Sequence, residues 1–252
     1  MNFTEAQTYL FSLGHESLSI KLGLLNIAGL VDRLGSPHKC APAVQIAGTN
    51  GKGSTAAMLS SICQAAGIRT GLYTSPHLVS ITERIKINGA PITEDRFAKL
   101  ATAVREAAND LITHEAIYST FFEHITAIAF LAFRDAKVNL MILETGLGGR
   151  LDATTIAEAE IVAVMSVDFD HQEYLGTSLA EISAEKAAII RVGTKAVIAP
   201  QREEAQREIE KQITDSNANA SIHRSGRHRN EECRFLRAFY YRVQIARRRR
   251  TL

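Results

Sequence analysis

The chain has 252 residues, 46% of them hydrophobic, 22% charged and 6% aromatic with no Trp, which suits a globular fold of one large or two small domains. Its net charge of +2 hides an asymmetry: residues 1–220 hold 19 Lys and Arg against 25 Asp and Glu, whereas residues 221–252 hold ten Arg, no Lys and two Glu. No apolar run approaches the ~18 residues of a membrane span, the N-terminus lacks the basic start of a secretory leader, and three cysteines (Cys40, Cys63, Cys233) form neither a disulfide framework nor a zinc pattern, so the expected compartment is the reducing cytoplasm.

Phe3, Tyr9, Leu10 and Leu13 predict one short helix, and Leu22, Leu25, Ile27, Leu30 and Leu34 a second, closed by Gly35 and Pro37. Residues 43–47 (AVQIA) predict a strand that enters a Gly-rich turn, with a helix over 54–66 behind it. Strands follow at 69–73 and 84–87, then helices at 94–111 and 120–136. The unbroken apolar run NLMILE (139–144) suits a strand covered on both faces. A strand at 161–167, a helix at 178–191, a strand at 195–199 and a charged helix at 202–213 complete the pattern. Such alternation predicts an α/β fold with a mainly parallel sheet, right-handed crossovers and flanking helices.

The sharpest local signal is Gly48-Thr49-Asn50-Gly51-Lys52-Gly53-Ser54, set between a strand and a helix. Glycines let backbone N–H groups turn toward phosphate oxygens, and the helix that follows presents its positive end. Lys52 can reach terminal phosphates, and the Ser54 hydroxyl can sit on Mg²⁺. The spacing departs from the common phosphate-loop pattern: Ile46 stands where the first glycine is expected, and Gly53 separates Lys52 from Ser54. Glu144, at the end of NLMILE, is placed to hold a metal, because ligands of parallel sheets gather at the carboxyl ends of strands. The Gly146–Arg150 turn after it allows close approach, and Arg150 can pair with an anion.

Together the motifs resemble the folylpolyglutamate synthase/dihydrofolate synthase family of Mur-type, ATP-dependent amide-forming ligases. The segments in question are AGTNGKGS (47–54), YTSPHL (73–78), ITERIKING (81–89), FFEHITAIAF (121–130), ILETGLGGRLDAT (142–154), DHQEYLG (170–176) and ISAEKAAIIR (182–191). SPHL and GLGGRLDAT separate this resemblance from the cell-wall Mur ligases. It implies ATP binding by Thr49, Asn50, Gly51, Lys52, Gly53 and Ser54, and Mg²⁺ held through Ser54, Ser75, Glu144 and His171. It also implies that Lys186 carries a carbamate formed from CO₂, and that Lys52, Lys186 and His171 serve catalysis. Phe121, Phe122, Glu123, His124, Leu151, Asp152 and Ala153 match segments lining a pterin pocket, and the 73–89 loop matches one that closes over the substrate. The implied partners are dihydropteroate or folate and L-glutamate, with no nucleic acid, no membrane and a monomeric chain.

Taken alone, His171 reads equally as a turn histidine, and Lys186 as an ordinary solvated lysine on a helix. Thr155, Ala188 and Lys21 stand where family members usually carry Asn, Gly and an acid. The expected organisation is a helical segment over 1–40, a Mur-ligase-like ATP-binding domain over 41–226, and a basic tail over 227–252 where the likeness stops. That tail reads as a shifted reading frame or a basic arm. Family members continue through a second α/β domain, so this chain is expected to bind ATP with little ligase activity of its own. Other readings are a P-loop ATPase indifferent to pteroate and glutamate, and an amide ligase on a cell-wall precursor.

Overall fold

A computed structural model describes residues 1–14 and 23–223. Lys21, Leu22, Cys233 and the basic tail over 227–252 lie outside the described residues. The elements are α1 (Phe3–Ser12), α2 (Leu25–Arg33), β1 (Ala43–Ala47), α3 (Lys52–Ala65), β2 (Thr70–Tyr73), β3 (Ile85–Ile87), β4 (Ala90–Pro91) and α4 (Glu94–Glu115). They continue with α5 (Phe121–Asp135), β5 (Leu140–Glu144), β6 (Ile161–Val164), α6 (Gln172–Leu175), α7 (Leu179–Ala187), β7 (Lys195–Ile198), α8 (Glu203–Asp215) and β8 (Asn219–Ile222).

The strands form one sheet in the order β4-β3-β2-β5-β1-β6-β7-β8. Six of them, β2, β5, β1, β6, β7 and β8, run parallel; β3 and β4 make an antiparallel margin beside β2. This is the mainly parallel α/β sheet that the alternating pattern predicts. The order reverses at β1, which lies between β5 and β6, so the carboxyl ends of these three strands open on one crevice.

Side-chain alternation divides the core. Val44 and Ile46 of β1 and Leu140 and Ile142 of β5 face α3 through its Ala56, Leu59 and Cys63. Ala43, Ala47, Met141 and Leu143 face the larger core, built from α1, α2, α4, α5, α7 and α8. Glu144 has the parity of Leu140 and Ile142, so its carboxylate points to the side where α3 begins. The N-terminal helices share the larger core: Ala6, Leu10, Ile27 and Leu30 are fully buried, and Phe3 meets Phe97 edge-on at 5.8 Å. Leu25, expected on the apolar face of α2, is instead 83% exposed.

Several bounds differ from expectation for local reasons. Helix α3 starts two residues early, because Gly51 takes a left-handed backbone (φ +81°) and the turn is complete before Lys52. Helix α4 runs four residues further, to Glu115, until Ala116 turns left-handed. Helix α7 ends at Ala187 rather than 191, and Ile189 and Ile190 are both buried in the turn that follows. β6 stops at Val164, three residues short, as its backbone turns to other partners. The short β4, α6 and β8 escaped prediction. Among the described residues no helix is long and apolar enough to cross a membrane.

Candidate nucleotide and metal site

The crevice at the ends of β1, β5 and β6 collects most of the motif residues. Gly48 leaves β1 with φ +140°, and a Cβ there would lie 2.7 Å from Met165 Cβ, so a side chain cannot be accommodated without displacing β6's continuation. The loop folds over its own carbonyls. Lys52 Nζ donates to Gly48 O (2.9 Å) and Thr49 O (3.2 Å). The Thr49 hydroxyl donates to Asp168 O (2.9 Å) and accepts from Asp168 N–H (3.1 Å). The N–H groups at the start of α3 lack intrahelical partners, as at any helix N-terminus, and such an end suits an anion.

Lys186 contradicts the solvated-lysine reading. It is only 2% exposed, and its Nζ donates to the same Gly48 carbonyl (3.1 Å) from the opposite element, α7. Burial, with the nearby Lys52 charge, pushes its ammonium down to about 8 against the weaker pull of Asp170 and Asp152. The glycine turn packs directly on α7: a Cβ at Gly149 would lie 2.9 Å from Lys186 O and 3.0 Å from Glu185 O. Arg150, read as an anion partner, pairs with Glu185 (3.3 Å).

Glu144 is 4% exposed and accepts Ser75 N–H at 3.2 Å. Burial raises its carboxyl above the usual range, partly offset by the Ser75 amide and Lys52. A Cβ at Gly53 would stand 3.3 Å from its Oε2, so the start of α3, with Ser54 next in sequence, closes on the carboxylate. Glu144 is thus a buried carboxylate between the start of α3 and the Ser75 amide, and a carboxylate with serine hydroxyls in the adjoining segments is the oxygen chemistry that suits Mg²⁺. His171 opens α6 with φ +46°, its side chain is half exposed, and its Nε2 lies 3.5 Å from Asp170 Oδ1. Among the described residues no three of His, Cys, Asp and Glu cluster as a metal site.

The residues matched to a pterin pocket divide. Asp152 is buried and turns its carboxylate inward: Oδ2 accepts the N–H groups of Gly146 (2.8 Å) and Leu147 (3.0 Å), and Oδ1 accepts the N–H and the hydroxyl of Thr154. Its burial raises its pKa while these bonds lower it. It shapes the loop rather than facing outward. Glu123 caps α5, accepting Thr120 N–H (2.7 Å) and hydroxyl (2.9 Å), and burial raises its carboxyl. His124 is 1% exposed; Nδ1 donates to Thr120 O (2.9 Å) and Nε2 accepts from the Tyr9 hydroxyl (3.0 Å), the neutral form to which burial commits it by lowering its pKa to about 4. Phe121 is buried, stacked with Phe11 at 5.9 Å and with the Arg84 guanidinium 5.5 Å over its ring. Phe122 packs on Gly146, and Leu151 and Ala153 lie half-buried and buried beside the glycine turn.

Sequence reasoning missed several participants. Arg84 is 2% exposed, donates to His77 Nδ1 (2.8 Å) and acts on Glu144 through its charge. Gln45, at the buried centre of β1, donates to the hydroxyls of Thr154 (2.9 Å) and Thr155 (2.7 Å), giving the unusual Thr155 a partner. Gln201 and Met165 brace the phosphate loop. A polar Gln inside the apolar run AVQIA was the visible signal for Gln45.

Comparison with known proteins agrees with this fold. The chain is 40% identical over 193 residues to a dihydrofolate synthase/folylpolyglutamate synthase of Bacillus subtilis, covering 76% of this chain and 45% of that one. It is 39% identical to the Escherichia coli protein of the same name, covering 72% and 42%. It therefore spans about half the length of the curated relatives it matches. A solved structure described as E. coli FolC in complex with DHPP and ADP superposes with a TM-score of 0.79 at 35% identity, covering 88% of this chain and 51% of that one. Apo L. casei FPGS superposes at 0.83 with 30% identity, covering 88% and 54%. The sequence profile of the Mur ligase middle domain matches residues 46–244, from the strand before the phosphate loop onward. The resemblance read from the ordered motifs holds, and the chain belongs to the Mur ligase middle-domain family.

Proposed function

We propose that this chain binds ATP and a folate-type carboxylic acid for the ATP-dependent ligation of L-glutamate, to dihydropteroate or to the γ-carboxyl of a reduced folate. One observation carries the reading: Lys52 and the buried Lys186 converge on the Gly48 carbonyl. They do so in the crevice lined by Glu144 at the end of the neighbouring β5 and by Ser75 just past β2. A carboxylate is a poor electrophile, so its oxygen first attacks the γ-phosphorus of ATP, giving an acyl phosphate and ADP. The glutamate amine then attacks the acyl carbon, and phosphate leaves with the former carboxylate oxygen.

Lys52, released from the Gly48 and Thr49 carbonyls, offsets charge on the transferred phosphoryl oxygens. The α3 N-terminus holds the phosphates. Glu144, with Ser54 and Ser75, would hold Mg²⁺, which would supply charge neutralisation at the phosphates. The neutral amine of Lys186 adds CO₂ and loses one proton to solvent, which turns an uncharged buried group into an anion beside Lys52. Phe121, Phe122 and the Asp152-shaped turn wall the acid-binding side.

The test is ADP formation by the full chain with and without each acid. Formation that requires dihydropteroate or a folate, however slow, and that disappears in Lys52→Ala is expected. Hydrolysis indifferent to these acids would favour a plain ATPase, and absence of ATP binding would overturn the reading altogether.

A further inference from the structure

The phosphate loop is braced from outside its own motif. Beyond Val164 the chain leaves the sheet, and one side chain takes over its backbone. Gln201, in the turn between β7 and α8, donates from Nε2 to Met165 O (2.9 Å) and accepts Val167 N–H at Oε1 (2.9 Å). Its carboxamide thus holds both neighbours of Ser166. The Ser166 carbonyl in turn accepts the N–H groups of Thr49 (2.9 Å) and Asn50 (3.2 Å), the residues that open the loop.

Met165 is the post about which the loop is wound. Its N–H is held by Ala47 O (2.7 Å). A Cβ on Gly48 would meet its Cβ at 2.7 Å, one on Gly51 would lie 3.8 Å from its methyl, and the Thr55 hydroxyl is 3.5 Å from its sulfur. Next to Gln201, Arg202 pairs with Asp168 (3.1 Å), the residue that exchanges bonds with the Thr49 hydroxyl.

We propose that Gln201 is a positioning residue for the nucleotide: it aims the Ser166 carbonyl and fixes the Met165 post, and these set the path of residues 48–51 and hence the amides that start α3. The role rests on the reading of that loop as the ATP site. Neutral carboxamide-to-backbone bonds suit the task, since they orient the loop without adding charge beside the phosphates.

The test uses Gln201→Ala in the full chain, with Arg207→Ala on the exposed side of α8 as the control. Amide hydrogen exchange of the nucleotide-free chain reads the brace, and titration with the ATP analogue AMPPCP reads its consequence. Two neutral hydrogen bonds are lost, so AMPPCP affinity should fall about tenfold. Exchange at Thr49, Asn50 and Val167 should quicken by a similar factor, while amides inside α5 keep their rates. The control should change neither. A merely structural residue would lower the melting temperature and leave affinity unchanged well below the melt. Unchanged exchange at Thr49 and Asn50, or faster exchange with unaltered affinity, overturns the proposal. Failure of the unsubstituted chain to bind AMPPCP would sink the nucleotide reading and this role with it, and is told apart because the exchange measurement uses no nucleotide.

Discussion

Carbon dioxide should add to Lys186 at a pH where an ordinary lysine is inert. With the ammonium pushed down to about 8, roughly one Lys186 amine in ten is neutral at pH 7, against about one in 2,500 for an unperturbed lysine. Carbamate forms only on the neutral amine, so the advantage is on the order of 250-fold. Carbon-13 NMR with labelled bicarbonate should show one carbamate signal whose pH dependence has its midpoint near pH 8. Lys186→Ala should lack it. Lys52→Met should move the midpoint upward, since it removes the neighbouring positive charge, but burial should keep it below that of a free lysine. Stability should move with the same shift. Between the folded value and the unfolded one of 10.5, the unfolded chain holds a proton that the folded chain has lost, so stability rises with pH across that window. The full rise is roughly 3 kcal/mol, and Lys186→Met should abolish it. A carbamate midpoint near 10, or a signal surviving in Lys186→Ala, would refute the reasoning.

Other sites answer to simpler measurements. Gly48→Ala places a methyl 2.7 Å from Met165 Cβ and should cost about 1–3 kcal/mol in denaturant unfolding, with loss of nucleotide binding; a wild-type midpoint would count against the described loop path. His124 has a folded pKa of about 4, below its unfolded value of 6.5, so stability should fall as pH drops from 6.5 to 4, by up to roughly 3 kcal/mol. His124→Gln should flatten that slope in unfolding curves taken across the range. Tyr9→Phe leaves His124 Nε2 without its donor and should cost about 1–2 kcal/mol, read as a lower melting temperature with unchanged nucleotide affinity. Glu144→Gln should keep or raise stability, because burial disfavours its charge, while weakening the Mg²⁺ dependence of ATP binding; an unaltered magnesium titration would remove Glu144 from the metal site.

The parts of the molecule legible in its sequence were those written in one short segment. AVQIA running into GTNGKGS specified strand, turn and helix together, and NLMILE placed Glu144 on the correct strand end. What stayed hidden depends on contacts between distant segments. Lys186 looks solvated in ISAEKAAIIR, but it is buried where α7 meets the glycine turn and its Nζ reaches the distant Gly48 carbonyl. The early end of β6 follows from a side chain 36 residues away, Gln201, taking the Met165 carbonyl in place of a neighbouring strand. Glu123 and His124 match a segment lining a pterin pocket, but the capping geometry of α5 engages Glu123 Oε2, and the Thr120 carbonyl and the Tyr9 hydroxyl engage both ring nitrogens of His124, contacts the sequence does not show. Helix bounds slipped where a left-handed residue, Gly51 or Ala116, decided them.

The chemistry proposed for the crevice makes one demand that no ATPase shares: an oxygen of the acid substrate must leave on phosphate. The most direct measurement is mass spectrometry of phosphate released by the full chain from ATP, L-glutamate and dihydropteroate labelled with oxygen-18 in its carboxylate. One labelled oxygen in each released phosphate, absent when dihydropteroate is omitted, is the predicted result. Phosphate released without label would contradict ligation through an acyl phosphate.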